Sequence, residues 1–208
     1  MYVISRLLRA KNMAALSDAS GVVVEAITHL RKEHGVDLAA ATEIGGDALA
    51  IGINGIYEHL ADYEAFRAGM AVDEDFGKIL QAGENLFSDS VEDTVWKLRL
   101  APGEERQRFT VVNQAQVVLE QVVDAMAFAA DVASTIGGIT GTPVGLVTAQ
   151  TGDRSRILWV SYAESLAQLE EDEETVEAND EYLDLYKRSA GLIVPNTLEE
   201  HIWAGITD

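Results

Sequence analysis

Twice along this chain a short run of apolar, β-favouring residues gives way to a long stretch with apolar positions at helical spacing. The runs are "YVISRLL" and "FTVVNQA", which predict β-strands over about 2–9 and 108–114. The stretches that follow predict helices over about 15–34 and 115–136, the first ended by Gly35 and the second by Gly137-Gly138. Two strands then form a hairpin around "GGD" in one series and "TGDR" in the other, both turn signals. A second helical region comes next, broken before "DEDF" and "NDEY", and a Trp-containing strand closes each series. The order is β-α-β-β-α-β both times, which is the split βαβ unit.

The two series read as copies. "VEDTVWKLR" and "LEEHIWAGI" share an aliphatic residue, two acids, a polar residue, an aliphatic residue and a Trp. Trp96 and Trp203 stand 107 residues apart, as do Tyr2 and Phe109, and Ile4 and Val111. Gly46-Asp47 and Gly152-Asp153, Glu58 and Glu164, and Phe76 and Tyr182 recur at an offset of 106, a drift that one inserted residue produces. The chain therefore divides into ferredoxin-like repeats at 1–100 and 108–208, joined by the linker 101–107, "APGEERQ". A four-stranded sheet with both helices on one face leaves its other face bare and in need of a partner sheet. The expected fold is α+β: two ferredoxin-like βαββαβ repeats whose sheets pack into an α+β barrel within one chain, helices outside, related by a pseudo-two-fold.

Charge and composition narrow the function. Lys and Arg number 15 against 35 Asp and Glu, a formal net charge of −20. Such a chain is repelled by phosphate backbones and anionic lipid, so neither nucleic acid nor a membrane is an expected partner. The absence of Cys excludes disulfides, a thiol nucleophile and thiolate-held metals, and it fits a cytoplasmic protein. "MYVISRLLRA" has no basic segment before a long apolar one, so no signal peptide is expected. The longest apolar helical stretch, "VVDAMAFAADVA", is interrupted by Asp124 and Asp131, and no run is expected to cross a bilayer.

The segments "IYEHLADYEAFRAGMAVDEDF" and "SYAESLAQLEEDEETVEANDEY" share a further pattern. An aromatic strand end runs into a helix reading Glu-x-Leu-Ala-x-x-Glu, then an acidic turn and an aromatic. This resembles the dimeric α+β barrel superfamily, and within it the antibiotic biosynthesis monooxygenase-like and NIPSNAP-like domains, over nearly the whole chain, twice. The resemblance implies a pocket between sheet and helices sized for a planar organic ligand. It implies a monooxygenase-like enzyme acting on an aromatic, polyketide-like substrate, with no cofactor or with reduced flavin. A polyketide cyclase, or a non-catalytic barrel that binds a small molecule or assembles with a partner, is the alternative. The quinone-forming members resemble one another in an Asn followed four residues later by Trp; here Asn54 is followed at that spacing by Glu58. The first-strand Asn of the haem-degrading members is matched by Asn113, and Tyr162 stands near the place of their Trp. The second helical region of the second repeat has no His, which speaks against haem degradation.

Candidate chemistry concentrates in the second repeat, which holds Asn113, Trp159, Tyr162, His201 and Trp203 and is the expected active half. His201 can move a proton near neutral pH, and Trp203, two residues on and so on the same strand face, can stack on a ring. Asn113 and Asn54 can orient a carbonyl, a phenol or dioxygen by hydrogen bonding, and these with His201 are the catalytic candidates. Trp203, Trp159, Tyr162 and Trp96 are the substrate-binding candidates. Gly52 and Gly55 flank Asn54 and suggest a strand bulge or a close approach. His29 shares a helix face with Glu25 and Glu33 and reads as solvated, and His34 complements a helix end. No metal site is expected. "GGITGTPVG" lacks the Lys and the spacing of a phosphate loop, and no nucleophile elbow is present. The first helix of the second repeat is apolar around most of its circumference, as a helix buried on more than one side would be. It is expected to line the pocket on one side and a homodimer interface on the other.

Overall fold

The computed structural model describes residues 1–44, 46–103 and 106–207. Gly45 of the first hairpin turn, Glu104 and Glu105 of the expected linker, and Asp208 lie outside the described residues. The structure is mixed α+β and separates into two compact units, Met1–Trp96 with Ala204–Asp208, and Lys97–Trp203. Each unit carries one β-α-β-β-α-α-β series, the second helical region of each repeat being two helices.

In the first unit β1 (Tyr2–Arg9) leads to helix α1 (Met13–His34), then β2 (Leu38–Ile44), β3 (Ala50–Tyr57), α2 (Leu60–Met70), α3 (Glu74–Gly83) and β4 (Glu92–Leu100). Asn12 caps α1 by accepting the Ala15 N–H, and Gly35 ends it at φ 64, a left-handed conformation that glycine adopts without a Cβ clash. The hydrogen-bonded strand order is β4-β1-β3-β2, the ferredoxin-like arrangement. β1 and β3 pair without interruption from Tyr2↔Tyr57 to Arg9↔Ala50, so Gly52 and Gly55 mark no bulge. Gly55 is there for close approach: a Cβ would stand 2.8 Å from Leu38 and 2.9 Å from the Tyr57 ring. The core packs α1, through Ala19, Val23, Ile27 and Leu30, onto Leu38, Ala40 and Ile51 of the sheet.

The second unit repeats the plan with β5 (Phe109–Gln116), α4 (Val122–Thr140), β6 (Gly145–Ala149), β7 (Arg156–Ala163), α5 (Leu166–Glu177), α6 (Asp180–Arg188) and β8 (Glu199–Gly205). Its strand order is β8-β5-β7-β6. The helix expected over 115–136 is corrected here. β5 stays paired to Gln116↔Arg156, a single 3-10 turn covers Leu119–Gln121, and α4 runs on through Gly137 and Gly138 to Gly141. Cross-strand pairing with β7 holds the Gln-Ala-Gln segment extended, and that tertiary term overrides its helical reading. The expectation about apolar runs is corrected too: Leu119–Thr140, 22 residues with hydropathy 1.4, is long and apolar enough to cross a membrane by length and composition. In this unit α4 instead packs Ala125, Phe128, Ala129, Val132 and Ala133 against Leu146, Ile157 and Trp159.

The breaks read before "DEDF" and "NDEY" are capped helix starts. The Asp73 carboxylate accepts the Phe76 N–H at 2.9 Å, and the Asn179 carbonyl accepts the Glu181 N–H at 2.9 Å. Asp73 also corrects the reading of His29 as solvated. Its Oδ2 meets His29 Nε2 at 2.8 Å and His34 Nε2 at 2.9 Å, and each ring is only 19% exposed. One carboxylate thus ties the C-terminal half of α1 to the start of α3.

Candidate functional site

In each unit a cavity lies between the sheet and the helices. The cavity of the second unit measures about 600 Å³ and that of the first about 370 Å³. A drug-sized ligand fits the larger one.

The larger cavity is apolar at its base and polar at its edge. Val111 and Ala115 of β5, Trp159 and Ala163 of β7, and Phe128 and Val132 of α4 form the base. Asn113 and Trp159 are register partners across β5 and β7, so their side chains stand side by side on the cavity face. The Trp159 indole N–H donates to the Ala129 carbonyl at 2.8 Å, which fixes the ring against α4. The polar edge comes from Asp172, Glu173 and Glu177 of α5, Tyr182 of α6 and Glu200 of β8. Among the described lining residues there is no Lys, Arg or His.

Glu200 is held from below by the Asn113 amide, whose Nδ2 donates to Oε2 at 3.2 Å. Glu173 of α5 stands at the same edge, near enough to feel the charge of Glu200. Burial first, and then the charge of Glu200, push the Glu173 carboxyl above its ordinary range. Burial also raises Asp172 and the Tyr182 hydroxyl, the latter aided by Tyr186 and by Glu177 and Glu200.

The candidates read from the sequence separate cleanly. Asn113, Trp159 and Tyr162 meet at this cavity. His201 and Trp203 lie on the same unit's β8 but are not lining residues; alternation brings Leu198 and Glu200 to the cavity instead. His201 Nε2 is 3.7 Å from Glu199. Asn54 and Trp96 belong to the first unit and do not line its cavity: Asn54 accepts from the Ser5 hydroxyl on the surface, and Trp96 is 3% exposed. Glu173, Glu200 and Tyr182 escaped the sequence reading. A signal for Glu200 was present, because the same position of the first copy, Asp93, is also acidic.

The smaller cavity differs at the matching positions. Arg6 stands where the second unit has Asn113, and its guanidinium grips Asp93 with two hydrogen bonds of 2.7 Å. That pairing holds the Asp93 carboxyl below its ordinary range. Tyr57 stands where the second unit has Ala163, and its ring clusters with Tyr63 and Phe66 at centroid distances of 5.2 and 6.0 Å. Burial pushes the Tyr57 hydroxyl up to about 12. An aromatic ring and an ion pair thus occupy space that is open in the second unit.

No protein-family model matches the chain, and no curated protein matches its sequence at a significant level. Solved structures do match. A candidate monooxygenase from Fusobacterium nucleatum superposes on 99% of this chain and 92% of its own, with TM-score 0.73 at 12% identity. A candidate monooxygenase from Lactobacillus acidophilus covers 98% of this chain and 93% of its own, with TM-score 0.71 at 8% identity. An anthrone oxidase-like protein covers 99% and 91%, with TM-score 0.65 at 11% identity. At such identities the likeness is one of fold: the chain has the duplicated ferredoxin-like α+β barrel fold of these monooxygenase-like proteins.

Proposed function

We propose that the protein is a monooxygenase-like enzyme that oxidises a neutral, planar, aromatic small molecule of the polyketide type in the cavity of the second unit. The observation that carries this reading is the 600 Å³ cavity with an apolar, Trp-backed base and a polar edge of Asn113, Tyr182 and four carboxyl groups. Its size and base suit fused rings, and the absence of a basic residue among the described lining residues disfavours an anionic substrate. The fold shared with an anthrone oxidase-like protein supports the same class of chemistry. The reaction taken as the test is anthrone plus dioxygen giving anthraquinone plus water. The apolar base positions the rings and excludes water, and the polar edge accepts the proton that leaves the ring carbon. The electron pair left on the ring then passes to dioxygen.

Oxygen uptake with anthrone as the probe tests this. Wild-type protein should accelerate uptake over a protein-free blank. Ala163→Tyr, which installs the first unit's ring in the larger cavity, should abolish the acceleration while leaving the circular dichroism spectrum intact. Equal uptake by the variant would remove the cavity from the chemistry.

The carboxyl groups at the cavity edge favour a second reading, a cyclase that works by acid–base catalysis without oxygen. Conversion of a polyketone probe with no oxygen uptake would select it. A homodimer formed through α4 belongs to the same proposal. Its support is the exposed apolar start of that helix, where Val122 is 41% and Val123 79% exposed.

A further inference from the structure

The cavity of the first unit holds a polar group that its own fold leaves unused. Tyr57 lines that cavity from the end of β3 and is 7% exposed. Its ring lies over Gly55, where a Cβ would stand 3.2 Å from the hydroxyl oxygen, so the hydroxyl rests against another residue of the cavity wall. Among the described residues this hydroxyl makes no hydrogen bond. The neighbours of the ring are Tyr63 and Phe66, at centroid distances of 5.2 and 6.0 Å. A Tyr hydroxyl buried to this degree ordinarily has a partner, and one without it forfeits the bond it would make in water. Burial, and then Tyr63, push the hydroxyl up to about 12, so at neutral pH it keeps its proton and is a donor.

The rest of the wall is apolar, with Ile4 of β1, Val23 and Ile27 of α1, Phe66 of α2 and Phe76 of α3. The charged lining residues call for no charged ligand. Arg6 and Asp93 hold each other with two hydrogen bonds of 2.7 Å, and Glu84 is exposed. A volume of about 370 Å³ is near the lower end of small-molecule cavities, which suits one or two rings rather than a larger fused system. The second unit has Ala163 at the position of Tyr57, so its larger cavity lacks this donor.

We propose that the first unit's cavity is a second small-molecule site, selective for a neutral one- or two-ring aryl ketone whose carbonyl oxygen accepts a hydrogen bond from the Tyr57 hydroxyl. The apolar wall supplies affinity, and the hydroxyl selects for the carbonyl. The site binds without turnover, so it stands apart from the oxidation proposed for the second unit.

The test compares two probes on the whole protein: α-tetralone, and tetralin, which has the same two-ring skeleton without the carbonyl. Affinity is read by NMR at the methyl groups of Ile27, Leu30 and Met70, which line this cavity. Wild type should bind α-tetralone about 10-fold more tightly than tetralin, the factor that one hydrogen bond at the upper end of its usual range supplies. Tyr57→Phe, which keeps the ring, should weaken α-tetralone alone and bring the ratio close to one. Ala163→Tyr, which narrows the other cavity, should leave both affinities at these methyl groups unchanged. Thermal melts give an independent readout. Free Tyr57→Phe should melt no lower than free wild type, because the hydroxyl has no partner to lose, and saturating α-tetralone should raise the melting temperature of wild type more than that of the variant. Four results would each overturn the proposal: no saturable binding at these methyl groups, the same probe ratio in wild type and Tyr57→Phe, binding lost in Ala163→Tyr, or a free Tyr57→Phe that melts well below wild type.

Discussion

Gly55 and Tyr57 show how single positions set the size of a cavity. The Tyr57 ring lies over Gly55, and a methyl group there would stand 2.8 Å from Leu38 and 2.9 Å from that ring. Gly55→Ala should therefore lower stability in a denaturant melt by about 1–3 kcal/mol, the usual cost of overpacking. The second unit has Ser161 and Ala163 at the corresponding places, so a side chain is tolerated where the overlying ring is missing. Removing both the ring and the need for glycine leaves room for a ligand. At the same scale Glu173 gives a pH signature. Its carboxyl is raised in the folded protein, so its contribution to stability is complete below the ordinary carboxyl pKa and is lost as pH rises through the raised value. Glu173→Gln should consequently gain melting temperature relative to wild type at neutral pH and lose that advantage near pH 4, where ordinary glutamates protonate.

At the scale of elements, capping and pairing decide what propensity leaves open. The start of α3 is fixed by Asp73, which caps the helix and ties it to His29 and His34 of α1. The Phe76 N–H, and then the two histidines, hold the Asp73 carboxyl far below its ordinary range. A depressed carboxyl stabilises the fold above its unfolded pKa, and that stability disappears as pH falls through the folded value. Wild type should then lose melting temperature on acidification below about pH 4, and Asp73→Asn should show a shallower loss. At neutral pH the variant should melt lower than wild type, because it surrenders the charge in its hydrogen bonds to the histidines. The opposite failure of local reading occurs at β5. Its last residues look helical in isolation, but eight register pairs with β7 keep the strand extended to Gln116.

For the whole molecule, the duplicated plan allows one copy to change while the other keeps its shape. The first unit retains an ion pair and an aromatic cluster at the place where the second has a larger cavity with an acidic edge. The exposed start of α4 bears on assembly. If the proposed homodimer uses it, sedimentation at micromolar concentration should give a dimer for wild type and a monomer for Val123→Glu. A monomeric wild type would remove the assembly proposal without touching the cavity.

The amino-acid sequence by itself determined the repeat, the order of its elements and the presence of two matched last strands. These follow from local periodicity, from turn and cap residues, and from pairs recurring at a fixed offset. It also marked Asn113, Trp159 and Tyr162, whose strands run toward one cavity. What only the tertiary structure decided was which face of β8 meets that cavity. Alternation assigns His201 and Trp203 to one face and Glu200 to the other, but it does not say which face packs beneath the helices. That Glu173 and Glu200 line the same cavity was equally hidden, because 27 residues separate them in the chain and only the fold brings both to one edge. A carboxyl group's shift at such an edge comes from its surroundings and from neighbouring charge, and both are properties of the folded chain rather than of the residue.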